Sequence, residues 1–261
     1  MTARPIPDAG RRARWPPLTV RAIVTRAVAT FLLLAAASAT ALGAQSSASA
    51  DSSVRGLPLT VVPAAHPGTT LAILLTGDGG WAPLDREVAG VLSAAGVGVV
   101  GLDVRAYLRG HPRTPEGTAA DVARLARGYG ARWHTTRLVL IGYSRGADML
   151  PFVATRLAAD VRERVALLAL LGLASRASFE FHWVDMVRDE PRASDLLVAP
   201  ELARLRGMRM LCVYGTDEAD SGCRDADPTL MAKAARRGGH HFDGDYEALA
   251  RLVLDALARA P

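Results

Sequence analysis

The stretch Arg137-Leu138-Val139-Leu140-Ile141-Gly142-Tyr143-Ser144-Arg145-Gly146-Ala147-Asp148-Met149-Leu150 decides how the rest of the chain is read. Arg137–Tyr143 is a short apolar run of the kind buried on both faces of a parallel sheet, and Gly146–Leu157 follows it with helical spacing. Between them G-x-S-x-G sits where a strand turns directly into a helix, the context that makes this motif a nucleophile elbow. Such a turn needs small residues, because a Cβ at Gly142 or Gly146 would collide with neighbouring strand and helix. In that geometry Ser144 Oγ stands clear of the sheet and the Arg145 amide points toward a reacting carbonyl oxygen.

Working outward, short apolar runs alternate with helical stretches. Leu57–Ala64 and 69–76 (TTLAILLT) read as strands, joined by the turn His66-Pro67-Gly68. Pro83–Ala95 has helical spacing and Gly96 ends it; Val97–Leu102 is a buried-type strand; Pro115–Tyr129 is a second helix. Val165–Leu173 and Met208–Tyr214 supply further strands, and Tyr246–Arg259 closes the chain as an amphipathic helix. Continuous apolar strands separated by helices predict a mostly parallel central sheet covered by helices on both faces, in a single domain over 57–261.

An elbow serine needs a base and an orienting acid, which this kind of sheet supplies in the chain order Ser, acid, His. After the strand Met208–Tyr214 comes Gly215-Thr216-Asp217-Glu218-Ala219-Asp220, a carboxylate cluster, and before the last helix comes Gly238-Gly239-His240-His241-Phe242. The offset from the strand selects Glu218, with Asp217 and Asp220 as alternatives. A G-x-H followed two places on by an aromatic selects His240, with His241 as the alternative, a residue of the substrate rim if unused.

The second backbone donor of an oxyanion hole comes from the loop that reaches the site first. Thr76-Gly77-Asp78-Gly79-Gly80-Trp81 stands there, and the Asp78 amide is expected to pair with that of Arg145. It is not a phosphate loop, since no G-K-[ST] follows. Gly77, Gly79, Trp81 and Tyr143 are expected to line the substrate site. The Asp78 side chain either turns away to fix the loop or faces a cationic part of the substrate. A cationic part of the substrate would likewise account for Asp148 or Asp103 near the pocket mouth.

Charge argues about address rather than partner. The formal net charge is +5, yet residues 1–26 hold six Arg against Asp8, 27–50 hold no charge, and 51–261 hold 25 basic and 25 acidic side chains. A neutral mature chain removes the case for nucleic acid. The basic start, the uncharged run Ala27–Ala44 and its small-residue exit have the form of a secretory signal peptide over 1–44, followed by a Ser/Ala-rich spacer over 45–56. Export makes the two cysteines, Cys212 and Cys223, read as a disulfide rather than a pair of buried thiols. No His or Cys lies at ligand spacing beside them, and no metal or organic cofactor is implied.

Taken together, the segments T-G-D-G-G-W (76–81) with Leu84-Asp85, Arg113-Thr114-Pro115-Glu116 with Asp121, G-Y-S-R-G-A-D-M-L-P (142–151), Phe179-Glu180 with His182, C-V-Y-G-T-D-E-A-D-S-G-C (212–223) and G-G-H-H-F-D-G-D-Y (238–246) resemble the bacterial virulence VirJ/AcvB family, a branch of the α/β-hydrolases. Arg145 departs from the neutral residue common in similar proteins. The stretch 175–207, about 30 residues with Phe179, Phe181, Trp183 and Met186, reads as a small apolar cap whose aromatics either pack in the core or touch lipid. The resemblance implies an α/β-hydrolase fold. It supports the Cys212–Cys223 bridge and a periplasmic location. It also implies a serine esterase that hydrolyses aminoacylated phosphatidylglycerol, chiefly the lysyl form, at the membrane surface. The alternatives are a general carboxylesterase or thioesterase with soluble substrates, and a non-catalytic factor that binds exported or type IV secretion proteins.

Overall fold

Alternate residues along each central strand face opposite ways, so an all-apolar strand asks for cover on both faces. The computed structural model describes residues 54–109, 111–181 and 192–259, and meets that requirement with a seven-stranded sheet. In chain order its strands are β1 (Leu59–Val62), β2 (Thr70–Leu75), β3 (Val97–Leu102), β4 (Arg137–Tyr143), β5 (Val165–Leu171), β8 (Met210–Gly215) and β9 (Ala232–Arg236). Their spatial order is β1-β3-β2-β4-β5-β8-β9; β1 runs antiparallel to β3 and every other pairing is parallel. The expected leader, and all but the end of the spacer, lie outside the described residues. Among those described, no helix is long and apolar enough to cross a membrane.

Two apolar clusters fill the faces. Leu71, Ile73 and Leu75 of β2, with Leu138 and Leu140 of β4, pack with α3 (Pro115–Arg132) and α4 (Arg145–Arg156). Ala72, Leu74, Val139 and Ile141 face the other way, toward α1 (Pro83–Ala94) and α8 (Tyr246–Ala258). Each Leu or Ile so buried stabilises the fold by roughly 1.5–3 kcal/mol relative to exposure. Helix starts are capped as their residues dictate: Thr114 Oγ1 accepts from the Gly117 amide at 3.0 Å, and Asp245 Oδ1 from the Ala248 amide at 3.3 Å.

The expected cap region holds a two-stranded antiparallel pair, β6 (Arg176–Ala177) with β7 (Leu196–Leu197), and the helix α6 (Val198–Arg204). Its two described phenylalanines pack inward. Phe179 is buried and meets Phe152 edge-on with ring centroids 5.8 Å apart, and Phe181 packs on the same cluster. Trp183 and Met186 lie outside the described residues. Three short helices also escape the periodicity: α2 (Val104–Leu108), α5 (Ala159–Arg162) and α7 (Gly222–Asp225).

Candidate active site

Parallel strands deliver their following loops to one end of the sheet, and the four predicted clusters follow β2, β4, β8 and β9. Ser144 stands between β4 and α4 at φ 52°, ψ −124°, a conformation few non-glycine residues adopt. The tightness of the turn is measurable. A Cβ on Gly142 would stand 2.4 Å from the Gly146 carbonyl oxygen, and one on Gly146 would stand 2.1 Å from that of Leu75. The strain is held by bonds on both sides of the serine: its amide donates to Leu171 at 2.8 Å, and its carbonyl accepts from Ala147 at 2.7 Å.

Two of the candidate partners converge on that hydroxyl. His240 Nε2 lies 2.9 Å from Ser144 Oγ, and His240 Nδ1 lies 2.6 Å from Glu218 Oε1. The second carboxylate oxygen, Oε2, accepts from the Gly215 amide at 3.2 Å. Burial by itself would raise the Glu218 carboxyl. The hydrogen bond and charge of His240, with the Gly215 amide and Arg224, outweigh it and hold the group below the ordinary glutamate value. Asp217 and Asp220 are exposed; Asp217 Oδ1 accepts from its neighbour Thr216 Oγ1 at 3.1 Å. His241 points elsewhere, with Nδ1 2.8 Å from the Tyr143 hydroxyl.

Close approaches fix the histidine and its acid. Gly172, at φ +65°, lies under His240, where a Cβ would stand 2.9 Å from Cε1. Nothing in the local sequence marks this glycine, since its neighbour belongs to a distant loop. Cys212 in β8 and Cys223 in α7 form a disulfide with Cα atoms 5.6 Å apart, so the bridge brackets the loop that carries Glu218. Arg224 adds a second tie, donating through Nε to the Glu218 carbonyl at 3.0 Å.

The first loop abuts the serine from the other side. A Cβ on Gly77 would stand 3.1 Å from Ser144 Cβ. Thr76 Oγ1 accepts from the Val104 amide at 2.9 Å, and the Gly80 amide donates to the Gly77 carbonyl at 3.1 Å, closing a turn over Asp78 and Gly79. Among the described residues the Asp78 amide donates to no backbone carbonyl. Its carboxylate accepts from Arg145 Nε at 2.6 Å. Asp148 Oδ1 accepts from the Ala174 amide at 2.7 Å, and Asp103 Oδ1 from the Ala106 amide at 2.8 Å. The three carboxylates considered for a substrate cation are thus engaged inside the protein.

The residues expected to line the substrate site separate in the same way. Gly77 is buried against Ser144, and Gly79 is exposed at the loop tip. The Trp81 ring lies on β3, where a Cβ on Gly101 would meet it at 2.0 Å, so its face is occupied by packing. Tyr143 is buried and stacks on His240.

Comparison with known proteins agrees with this fold. A family model described as bacterial virulence protein (VirJ) matches residues 69–260. Solved structures with the same fold include Est1E from Butyrivibrio proteoclasticus, at 16% identity and TM-score 0.52, covering 77% of this chain and 93% of that one. A lipase-esterase related protein from Clostridium acetobutylicum, at 15% identity and TM-score 0.54, covers 76% and 98%. A thioesterase domain from the curacin biosynthetic pathway, at 18% identity and TM-score 0.51, covers 75% and 94%. At these identities the likeness shows an α/β-hydrolase fold and no more. No curated protein matches the chain.

Proposed function

The chain belongs to the VirJ family of bacterial virulence proteins, and from that premise we propose that it is a serine hydrolase acting on carboxylic ester bonds. The observation that carries the reading is the unbroken hydrogen-bonded run from Ser144 Oγ through His240 to Glu218. In this mechanism His240 Nε2 takes the Ser144 proton as Oγ attacks the ester carbonyl, and later returns it to the departing alcohol. Glu218, accepting at Nδ1, fixes the tautomer that leaves Nε2 free to act as base. The amides of Asp78 and Arg145 receive the oxyanion. The acyl-serine is then released by water along the same path.

The substrate class assigned is the aminoacyl ester of phosphatidylglycerol, with the enzyme working at the outer face of the inner membrane in the periplasm. Family resemblance supports this assignment, as does the fit between an aminoacyl ester and acyl transfer through serine. The disulfide is compatible with an exported protein. Lipid extracts of a deletion strain, with and without the gene restored, test it. Lysyl- and alanyl-phosphatidylglycerol should accumulate in the deletion, and unchanged levels would refute the lipid assignment.

One observation favours a second reading. Asp78, in the loop nearest Ser144, is already ion-paired with Arg145 inside the protein, so its charge is not held ready for an ammonium group. A neutral acyl group, on a soluble ester or thioester, needs no free carboxylate at Asp78. Purified protein assayed on neutral acyl esters and on aminoacyl lipid side by side separates the two.

A further inference from the structure

An anion beside a developing oxyanion opposes catalysis, and Asp78 stands in the loop that supplies the second oxyanion donor. What answers it comes from the nucleophile elbow. Arg145, the residue after Ser144, is buried, with its side chain 8% exposed, and its Nε meets Asp78 Oδ1 at 2.6 Å. The pair joins residues 67 positions apart. It also joins the two segments whose amides must act together, because Gly77 lies against Ser144 on the same side.

We propose that the Arg145–Asp78 ion pair is a positioning device for the oxyanion hole: the guanidinium neutralises the carboxylate and holds the Asp78 loop against the elbow. This rests on the serine-hydrolase reading and adds to it a role for two side chains whose backbone amides alone were assigned. The physics has two parts. An isolated charge that is mostly out of water acts over several ångströms at low effective dielectric, so an unneutralised Asp78 would raise the energy of the oxyanion state specifically. A loop fixed by one charge-assisted bond keeps its amide in place before substrate arrives, so no ordering is needed during the reaction.

The test is the rate at which a fluorophosphonate probe labels the full-length protein. In that reaction Ser144 Oγ bonds to phosphorus, fluoride leaves, the Oγ proton passes to His240, and the phosphoryl oxygen occupies the oxyanion hole. Arg145→Met should lower the maximal labelling rate by roughly 10- to 100-fold, with little change in the probe concentration giving half the maximal rate. Asp78→Asn added to it removes the stranded charge, and should restore the rate at least about tenfold above the Arg145→Met value. Arg145→Lys keeps a cation and should stay within about fivefold of the wild type, which covers the case in which Arg145→Met does not fold. A double variant as slow as Arg145→Met, or Arg145→Lys falling as far, overturns the proposal. Thermal midpoints measured alongside separate it from lost folding, because a merely structural pair would show no rescue in rate. Ser144→Ala is the control on the underlying reading: labelling at the wild-type rate in that variant refutes the serine mechanism itself. A silent Ser144→Ala without rescue refutes only the role of the pair.

Discussion

The Tyr143 ring lies stacked against the His240 imidazole, with centroids 5.5 Å apart and planes inclined by 30°. Its hydroxyl is 2.8 Å from His241 Nδ1 and donates to the His240 carbonyl at 3.3 Å. Burial raises the phenol well above its ordinary pKa, so it stays a donor across the working pH range. The two neighbours of Ser144 therefore hold the rest of the site, Tyr143 on the histidine side and Arg145 on the oxyanion side.

Tyr143→Phe keeps the stack and removes the hydroxyl, so kcat should fall by roughly 3- to 10-fold, the worth of about one hydrogen bond. His241→Ala removes the partner and should cost a similar factor. If the two act through one bond, the double variant is no worse than the poorer single. Multiplying effects in steady-state kinetics would show that the residues act separately.

The acid is a matter of position rather than of charge alone. Glu218→Gln removes the anion that His240 Nδ1 faces at 2.6 Å, and activity should drop by on the order of 10³-fold. Asp217→Asn and Asp220→Asn, at exposed sites, should change it less than about twofold. Comparable losses in Asp217→Asn would move the acid to that residue. Because the Glu218 carboxyl sits below its ordinary value, its contribution to stability is complete above the unfolded pKa. That contribution should be lost as pH falls through the lower, folded one.

Reduction of Cys212–Cys223 frees the loop that holds Glu218. For a loop of this length the chain-entropy model gives a loss of roughly 2–3 kcal/mol in unfolding free energy. Activity should fall before global unfolding, read as lost hydrolysis at a dithiothreitol concentration that leaves the far-ultraviolet circular dichroism intact. Parallel loss of both signals would mean that the bridge supports the whole domain and not the acid loop in particular.

Asp85 offers a pH test with the opposite sign. It is fully buried; Oδ2 accepts from the Ala82 amide at 2.9 Å, while Oδ1 has no hydrogen-bond partner among the described residues. Burial, against the lowering effect of the backbone bonds, raises its pKa from 3.8 to about 6. A folded value above the unfolded one means that the native state binds the extra proton. Stability should therefore fall as pH rises between those two values and stay lower above them, by about 3 kcal/mol. Asp85→Asn keeps an oxygen for the cap and removes the charge. Urea unfolding should show it more stable than wild type at about pH 7.5 and nearly equal at about pH 4. A variant less stable at both would show that ionised Asp85 is needed for the turn.

Much of the scaffold is legible locally. Val97–Leu102 and Arg137–Tyr143 are strands at the residues where their apolar runs begin and end, and Pro83 and Pro115 open helices as a proline at a first helical position does. β9 escaped because Ala232-Lys233-Ala234-Ala235-Arg236 has no apolar run; it is a strand only because the neighbouring β8 offers it a ladder, and its charges suit an edge. The short helices escaped because fewer than two turns leave no period to read.

The sequence by itself determined the alternation of buried strands and helices, the elbow around Ser144, and the identity of the clusters competing to serve it. Those follow from side-chain period and from the space glycine leaves, both properties of neighbouring residues. Only the tertiary structure decided which members meet: Glu218 and not Asp217 faces His240, His241 turns to Tyr143, Asp78 is answered by Arg145, and Gly172 makes room for the imidazole. Each of these joins segments far apart in the chain. Their distances are set by strand order and loop path, to which local propensity is blind.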